Sequence, residues 1–362
     1  MPAGSEAAVL RLSISDLREH ALAATFFKPT TLRQAIERLG FVQADPIQAP
    51  ASAQDLILRH RVNEYHAGDL ERQYRRLGIE EDRLYAYGFM PRSTWRLLHP
   101  RIERTLNSTE KRVLQIAVAV KRIHPDDLEV LVGRKIVEND WGGKSRESTR
   151  ALHSLHFGGF LRVAERVGRI RVYEAVPHHE RLLDRATRFR QLVLLVASVL
   201  APISETSLAA TLGYAAYRAP GLRGLRTFVP KLVGSGDLVS ASVDGIRYLW
   251  PSNHRVPDAP HRKVRFLAPF DPLVWDRRRF EHLWGWPYRF EAYLPAAKRQ
   301  LGYYAMPMLW RDDVIGWVHT SHRSGKLIVE RGFQKGIPRE RAFETEYEAE
   351  VARLERFLKR RK

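Results

Sequence analysis

The chain has 362 residues, 44% hydrophobic and 28% charged, with no cysteine; about two to four ordinary globular domains are expected, and disulfides, zinc fingers and cysteine-ligated iron–sulfur clusters are excluded. Lys and Arg total 60 against 41 Asp and Glu, a net charge of +19. This calls for a polyanionic partner, since each neutralised phosphate releases counterions; a generically basic protein is the competing explanation.

Residues 1–20 carry no apolar signal core. The most apolar run, Leu192 to Ala201, is about half the length that spans a bilayer and reads as a buried helix. A cytoplasmic, nucleoid-associated protein that does not enter membranes is expected.

Ser13 to Phe27 predicts a helix capped by Ser13 or Ser15, with Leu17, Ala21, Ala24 and Phe27 on one face. Thr31 to Leu39 predicts a second, stopped by Gly40. Phe41 and Val42 then favour strand, and Pro46 pushes Asp45 out of the helical region. In an extended chain Gln43 and Asp45 project to the same side. An amide beside a carboxylate can hold a water and face a developing cation, which suits hydrolysis through an oxocarbenium-like transition state. The plainer alternative is a turn-forming Asp before Pro and a half-exposed strand Gln.

Ala51 to His66 predicts a helix whose Arg59 and Arg61 could approach a phosphate backbone, unless they lie on a solvated face. Asn107-Ser108-Thr109-Glu110 resembles a capping box before a helix that Pro125 ends. Further helices follow over Asp126 to Val132 and Ser145 to His156, the last with Arg146, Arg150 and His153 on one face. Phe160 to Tyr173 alternates around Gly168 as a β-hairpin, with Arg166 and Arg169 near its tip. Three helices and a basic hairpin predict a winged helix-turn-helix. Leu155, Gly159, Leu161 and Gly168 recur at one fixed shift as Leu232, Gly236, Leu238 and Gly245, so a second copy is expected. After a polar linker over Asn253 to Pro260, strands are expected at Val264 to Leu267, Tyr288 to Tyr293, Tyr303 to Leu309, Val314 to His319 and Leu327 to Val329, as a small β-barrel. Arg341 to Leu358 predicts an amphipathic helix before the basic tail Lys359-Arg360-Arg361-Lys362.

Other chemistries lack their motifs. His178 and His179 are adjacent, poor geometry for one ion, and there is no phosphate-binding loop, dinucleotide fingerprint or nucleophile elbow. No metal or cofactor is called for. Asp271 in Pro269-Phe270-Asp271-Pro272 reads as a turn residue, and Trp275, Trp284, Trp286 and Tyr288 as core.

Four stretches carry a family resemblance: Leu39-Gly40-Phe41-Val42-Gln43-Ala44-Asp45-Pro46-Ile47, Gly88-Phe89-Met90-Pro91-Arg92, the long Leu267-Ala268-Pro269-Phe270-Asp271-Pro272-Leu273-Val274-Trp275-Asp276-Arg277, and Tyr293-Leu294-Pro295-Ala296-Ala297-Lys298. Together they resemble the YcaQ-type DNA glycosylases of the AlkX/AlkZ superfamily, whose Gln-apolar-Asp motif Gln43-Ala44-Asp45 matches; the AlkZ branch carries Gln-apolar-Gln. The resemblance implies an α+β fold of three tandem winged helix-turn-helix units, then a C-terminal β-barrel and terminal helix. The units expected are 1–106 with the motif, 107–182, 183–254 and 255–362. It also implies hydrolysis of the N-glycosidic bond of N7-alkylguanine and unhooking of interstrand crosslinks, by a monomer on double-stranded DNA, without lyase activity. Asp45 would stabilise the oxocarbenium and activate water, Gln43 would position that water, and Arg59, Arg61, Arg92, Arg146, Arg150, Arg166 and Arg169 would contact DNA. One departure stands out. A His-Glu pair often precedes Phe-Met-Pro-Arg in the family, and here Tyr85 and Ala86 stand there, making Tyr85 or Tyr87 the candidate hydrogen-bond donor. A tandem winged-helix transcriptional regulator without enzymatic activity is the alternative reading.

Overall fold

The computed structural model describes residues 12–102, 104–138, 143–168, 170–177, 183–254, 262–323 and 326–359. Helix α1 (Ile14–Thr25) starts at a capping box, in which Ser13 Oγ accepts from the Asp16 N–H while the Asp16 carboxylate accepts from the Ser13 N–H at 2.7 Å. Helix α2 (Leu32–Leu39) is capped by Thr31 and ends where Gly40 takes φ 71°, a left-handed conformation that glycine adopts without strain. Then come β1 (Val42–Gln43), α3 (Ala53–Leu58), α4 (Asp69–Leu77), β2 (Ile79–Arg83), β3 (Tyr87–Pro91) and α5 (Arg92–Leu98). The three strands form an antiparallel sheet in the order β1-β3-β2. The helix expected over Ala51 to His66 is only the six residues of α3.

The next stretch holds α6 (Ser108–Val120), α7 (Pro125–Val132), β4 (Ile136–Glu138), β5 (Lys144–Arg146), α8 (Glu147–Phe157), β6 (Leu161–Val167) and β7 (Ile170–Ala175). Asn107 and Glu110 form the expected capping box, but α6 stops at Val120, and Pro125 instead opens α7 at a position where its missing N–H costs nothing. Then follow α9 (Arg185–Val199), β8 (Ile203–Ser204), α10 (Glu205–Ala215), α11 (Phe228–Gly234), β9 (Leu238–Val243) and β10 (Ile246–Pro251), with sheet order β8-β10-β9. The sequence repeat has a structural basis. Gly159 and Gly236 both turn the chain at left-handed φ (78° and 75°), Gly168 and Gly245 both sit at hairpin tips (61° and 76°), and the four matching leucines are all buried.

The C-terminal part comprises β11 (Val264–Phe266), α12 (Pro272–Trp275), α13 (Arg277–Trp284), β12 (Met306–Trp310), β13 (Asp313–Arg323), β14 (Lys326–Phe333) and α14 (Arg341–Leu358). Its strands make one curled antiparallel sheet, β11-β12-β13-β14, a half-barrel rather than the closed barrel expected. Tyr288 to Tyr293 is not one of its strands. Those aromatics pack ring against ring, Trp286 on Tyr288 at 5.1 Å and Phe290 on Tyr293 at 5.8 Å, and the Glu291 carboxylate holds the loop by accepting from the Gln300 and Leu301 N–H groups at 2.8 Å each. Aromatic enrichment therefore mimicked a strand signal that Pro287 and Pro295 at its flanks interrupt.

One buried cluster runs from Val42, Leu56 and Tyr65 through Val113 and Leu152 to Phe266, Tyr304 and Phe343, so the motif-bearing segment and the C-terminal sheet share a core. A second joins Phe41, Tyr85 and Trp95 to Leu192, Val196 and Leu249.

Candidate active site

The ladder between β1 and β3 pairs Val42 with Phe89 and Gln43 with Gly88, and continues as the Ala44 N–H donates to the Tyr87 carbonyl at 2.9 Å. The strands approach this closely because residue 88 is glycine: a Cβ there would lie 2.3 Å from the Val42 carbonyl oxygen and 2.7 Å from the Phe41 ring. The period-two alternation of this ladder puts Gln43 and Asp45 on one face. Asp45 is then fixed by an Asx turn, its Oδ1 accepting from the Ile47 N–H at 2.9 Å. Its own N–H donates to Oε1 of buried Gln54 at 3.4 Å. Among the described residues nothing donates to Asp45 Oδ2, and Gln43 Oε1 is buried with no hydrogen-bond partner in the protein. The segment thus presents one carboxylate oxygen and one amide oxygen, both uncommitted, from a backbone that is tightly held.

Two tyrosines from the C-terminal part lie within the field of Asp45. Burial raises the Tyr304 hydroxyl well above its usual range, with Tyr288 and then Asp45 adding to the rise. Burial and then Asp45 also raise Tyr293, which is otherwise 76% exposed. Neither residue stands out in sequence as a partner of the motif. Tyr293 does open the family-like stretch ending at Lys298, but spacing along the chain gives no sign that it folds onto residue 45.

Tyr85 and Tyr87 do not offer hydroxyls to the site. Tyr85 is buried between Phe41 (4.9 Å between ring centroids) and Trp275 (4.5 Å), and burial raises its hydroxyl strongly. The Tyr87 hydroxyl donates to Glu81 at 2.5 Å beneath the Arg171 guanidinium. Tyr87 supports the site through its backbone carbonyl instead.

Two of the arginines expected on DNA are internal. Arg61 is fully buried, forks onto the buried Asp271 carboxylate at 2.9 and 3.1 Å and donates to the Thr25 and Ile57 carbonyls. Arg59 is also enclosed, on Glu350 at 2.5 Å. The carboxylates run consecutively along β2 and recruit others: Arg92 bonds Glu80 at 2.8 Å, Arg166 bonds Glu81, and Arg101 bonds Asp82 at 2.8 Å. These cations neutralise buried acids that would otherwise be very costly, and a phosphate would have to compete for them. Arg146 pairs with Glu129 at the start of α8, and Arg150 is exposed on that helix. Arg169 lies outside the described residues.

With this geometry in view, the comparison with known proteins is direct. The solved structure of Streptomyces sahachiroi DNA glycosylase AlkZ matches 96% of this chain and 97% of its own at a TM-score of 0.62 and 14% identity, so the two share a fold. Residues 36–357 match the family described as DNA glycosylase AlkZ-like, a span that contains both Gln43-Ala44-Asp45 and the Tyr293–Tyr304 loop. The chain belongs to the AlkZ-like DNA glycosylase family. It is a DNA N-glycosylase, and DNA is its substrate.

Proposed function

We propose that the enzyme hydrolyses the N-glycosidic bond of N7-alkylated guanine, including guanine joined to the opposite strand by an N7 crosslink. Alkylation at N7 makes the base a cation, and as the C1′–N9 bond breaks its electron pair neutralises that charge. No strong general acid is needed. The water lone pair forms the new C1′–O bond, and its proton passes to Asp45, whose negative charge also stabilises the oxocarbenium as it develops. Gln43 Oε1 accepts the second water proton as a hydrogen bond. The reaction ends at the abasic sugar, without strand nicking.

The observation that supports this reading best is the uncommitted Oδ2 of Asp45 on the same face as the uncommitted Oε1 of Gln43. In this reading the helix–hairpin stretches 108–175 and 185–251 act as winged units beside the motif-bearing one, the chain works as a monomer, and Arg146 and Arg150 on α8 approach the phosphates.

The test is base release from duplexes carrying N7-methylguanine or a nitrogen-mustard crosslink. Asp45→Asn should lose turnover by at least about 100-fold while DNA binding persists. Equal release by native and variant would remove Asp45 from the chemistry. Release of the methylated base alone would confine the enzyme to small adducts.

A further inference from the structure

The Tyr304 hydroxyl is a buried polar group with no hydrogen-bond partner in the protein, on a ring that is only 1% exposed. An O–H left without a partner in the interior costs about 1–3 kcal/mol. A purely structural position would be served as well by phenylalanine. The ring is fixed edge-on against Phe290 at 5.3 Å, and Phe290 is fixed in turn against Phe270 at 5.1 Å and Tyr293 at 5.8 Å. The cluster that buries Tyr304 is the one that contains Val42 and against which Ala44 and Ile47 pack. Tyr304 therefore enters from the C-terminal sheet on the residues that flank Asp45. Its hydroxyl also keeps its proton at any working pH, because burial and the charge of Asp45 both oppose ionisation.

We propose that Tyr304 is a positioning residue for the hydrolysis, its buried hydroxyl donating a hydrogen bond to the same water that Asp45 and Gln43 hold. This rests on the glycosylase site assigned to Gln43 and Asp45. A nucleophilic water has two protons and two lone pairs. Asp45 Oδ2 and Gln43 Oε1 are both acceptors, so they take the two protons and leave the oxygen free to rotate about them. One donor is needed to occupy one lone pair and aim the other at C1′, and Tyr304 supplies it. In the reaction the aimed lone pair forms the C1′–O bond, the C1′–N9 pair leaves with the base, one proton goes to Asp45, and the Tyr304 proton stays where it is.

Tyr304→Phe removes only the hydroxyl. Single-turnover release of N7-methylguanine should fall on the order of 10- to 100-fold, as for a misaimed reactant. Affinity for the same duplex should stay within about twofold, and thermal stability should not fall, because an unsatisfied buried group has been deleted. Because Tyr304 and Gln43 orient one water, Tyr304→Phe combined with Gln43→Ala should lose less than the product of the single losses. The proposal is overturned by native-like release in Tyr304→Phe, by losses that multiply independently, or by a Tyr304→Phe chain that fails to fold, which would reveal a structural bond to the hydroxyl. If native protein releases base and Asp45→Asn does not, a native-like Tyr304→Phe removes this role alone. If native protein releases no base at all, the assigned site and the role of Tyr304 fall together.

Discussion

Arg61 and Asp271 illustrate how a charge that looks available in sequence can be committed inside the fold. The pair is bidentate and fully enclosed, and Asp271 also caps α12 by accepting from the Leu273 N–H at 3.1 Å. Removing one partner strands the other in a medium that cannot solvate it. Arg61→Met should therefore lower the unfolding free energy by about 3–5 kcal/mol, and adding Asp271→Asn should restore part of the loss. Urea unfolding of both variants checks this; a single variant as stable as the native chain would show that the pair bears no load.

Among elements, β1 is the shortest with the largest consequence, and its position depends on Gly88. An added Cβ would meet backbone, the Val42 carbonyl oxygen at 2.3 Å, which cannot swing aside as a side chain would. Gly88→Ala should push β1 from β3, displace Gln43 and Asp45 together, and lower base release by about tenfold or more, since small misplacements of reacting groups have large kinetic effects. Native-like release would mean that the ladder does not set the site. The same scale shows what the sequence could announce. α1, α6 and α14 were legible because their caps and apolar stripes are local signals. β2 was not: Glu80-Glu81-Asp82 is a poor strand former, and it holds its place only through arginines that lie between 12 and 90 positions away. The Gln43-Ala44-Asp45 half of the site is a contiguous motif and could be read directly, whereas Tyr304 reaches it through tertiary packing alone.

For the whole molecule, acid stability is governed by imidazoles at the seams between units. His20 on α1 packs against Trp250 of β10 at 4.9 Å and His254 at 5.8 Å, and burial, aided by His254, pushes it down to about 4. Burial likewise pushes His99 down to about 4, although its hydrogen bond to Asp82 at 3.1 Å opposes this. Both are neutral in the folded chain and protonate near 6.5 when it unfolds, so the unfolded state binds more protons between those values. Stability is fully present above 6.5 and is lost as pH falls toward about 4, at about 1.4 kcal/mol per pH unit for each proton. Carboxylates such as Glu110, which Arg104 holds down to about 2, act only below 4.5. Urea midpoints measured from pH 7 to pH 4 should fall less steeply in His20→Asn by up to one proton's worth; an unchanged slope would clear His20 of the effect.

Arg59, His60 and Arg61, which follow the catalytic motif by a short helix, each hold a partner 206 to 291 positions downstream. Contacts of such high sequence separation carry a large loop-closure entropy and form late in folding. The segment bearing Gln43 and Asp45 therefore sets only after the distant sheet and α14 have folded and docked. A partly folded chain already carries the arginines that attract DNA but not the assembled groups that cut it, so catalytic competence is a property of the completed topology rather than of the unit in which the motif is written.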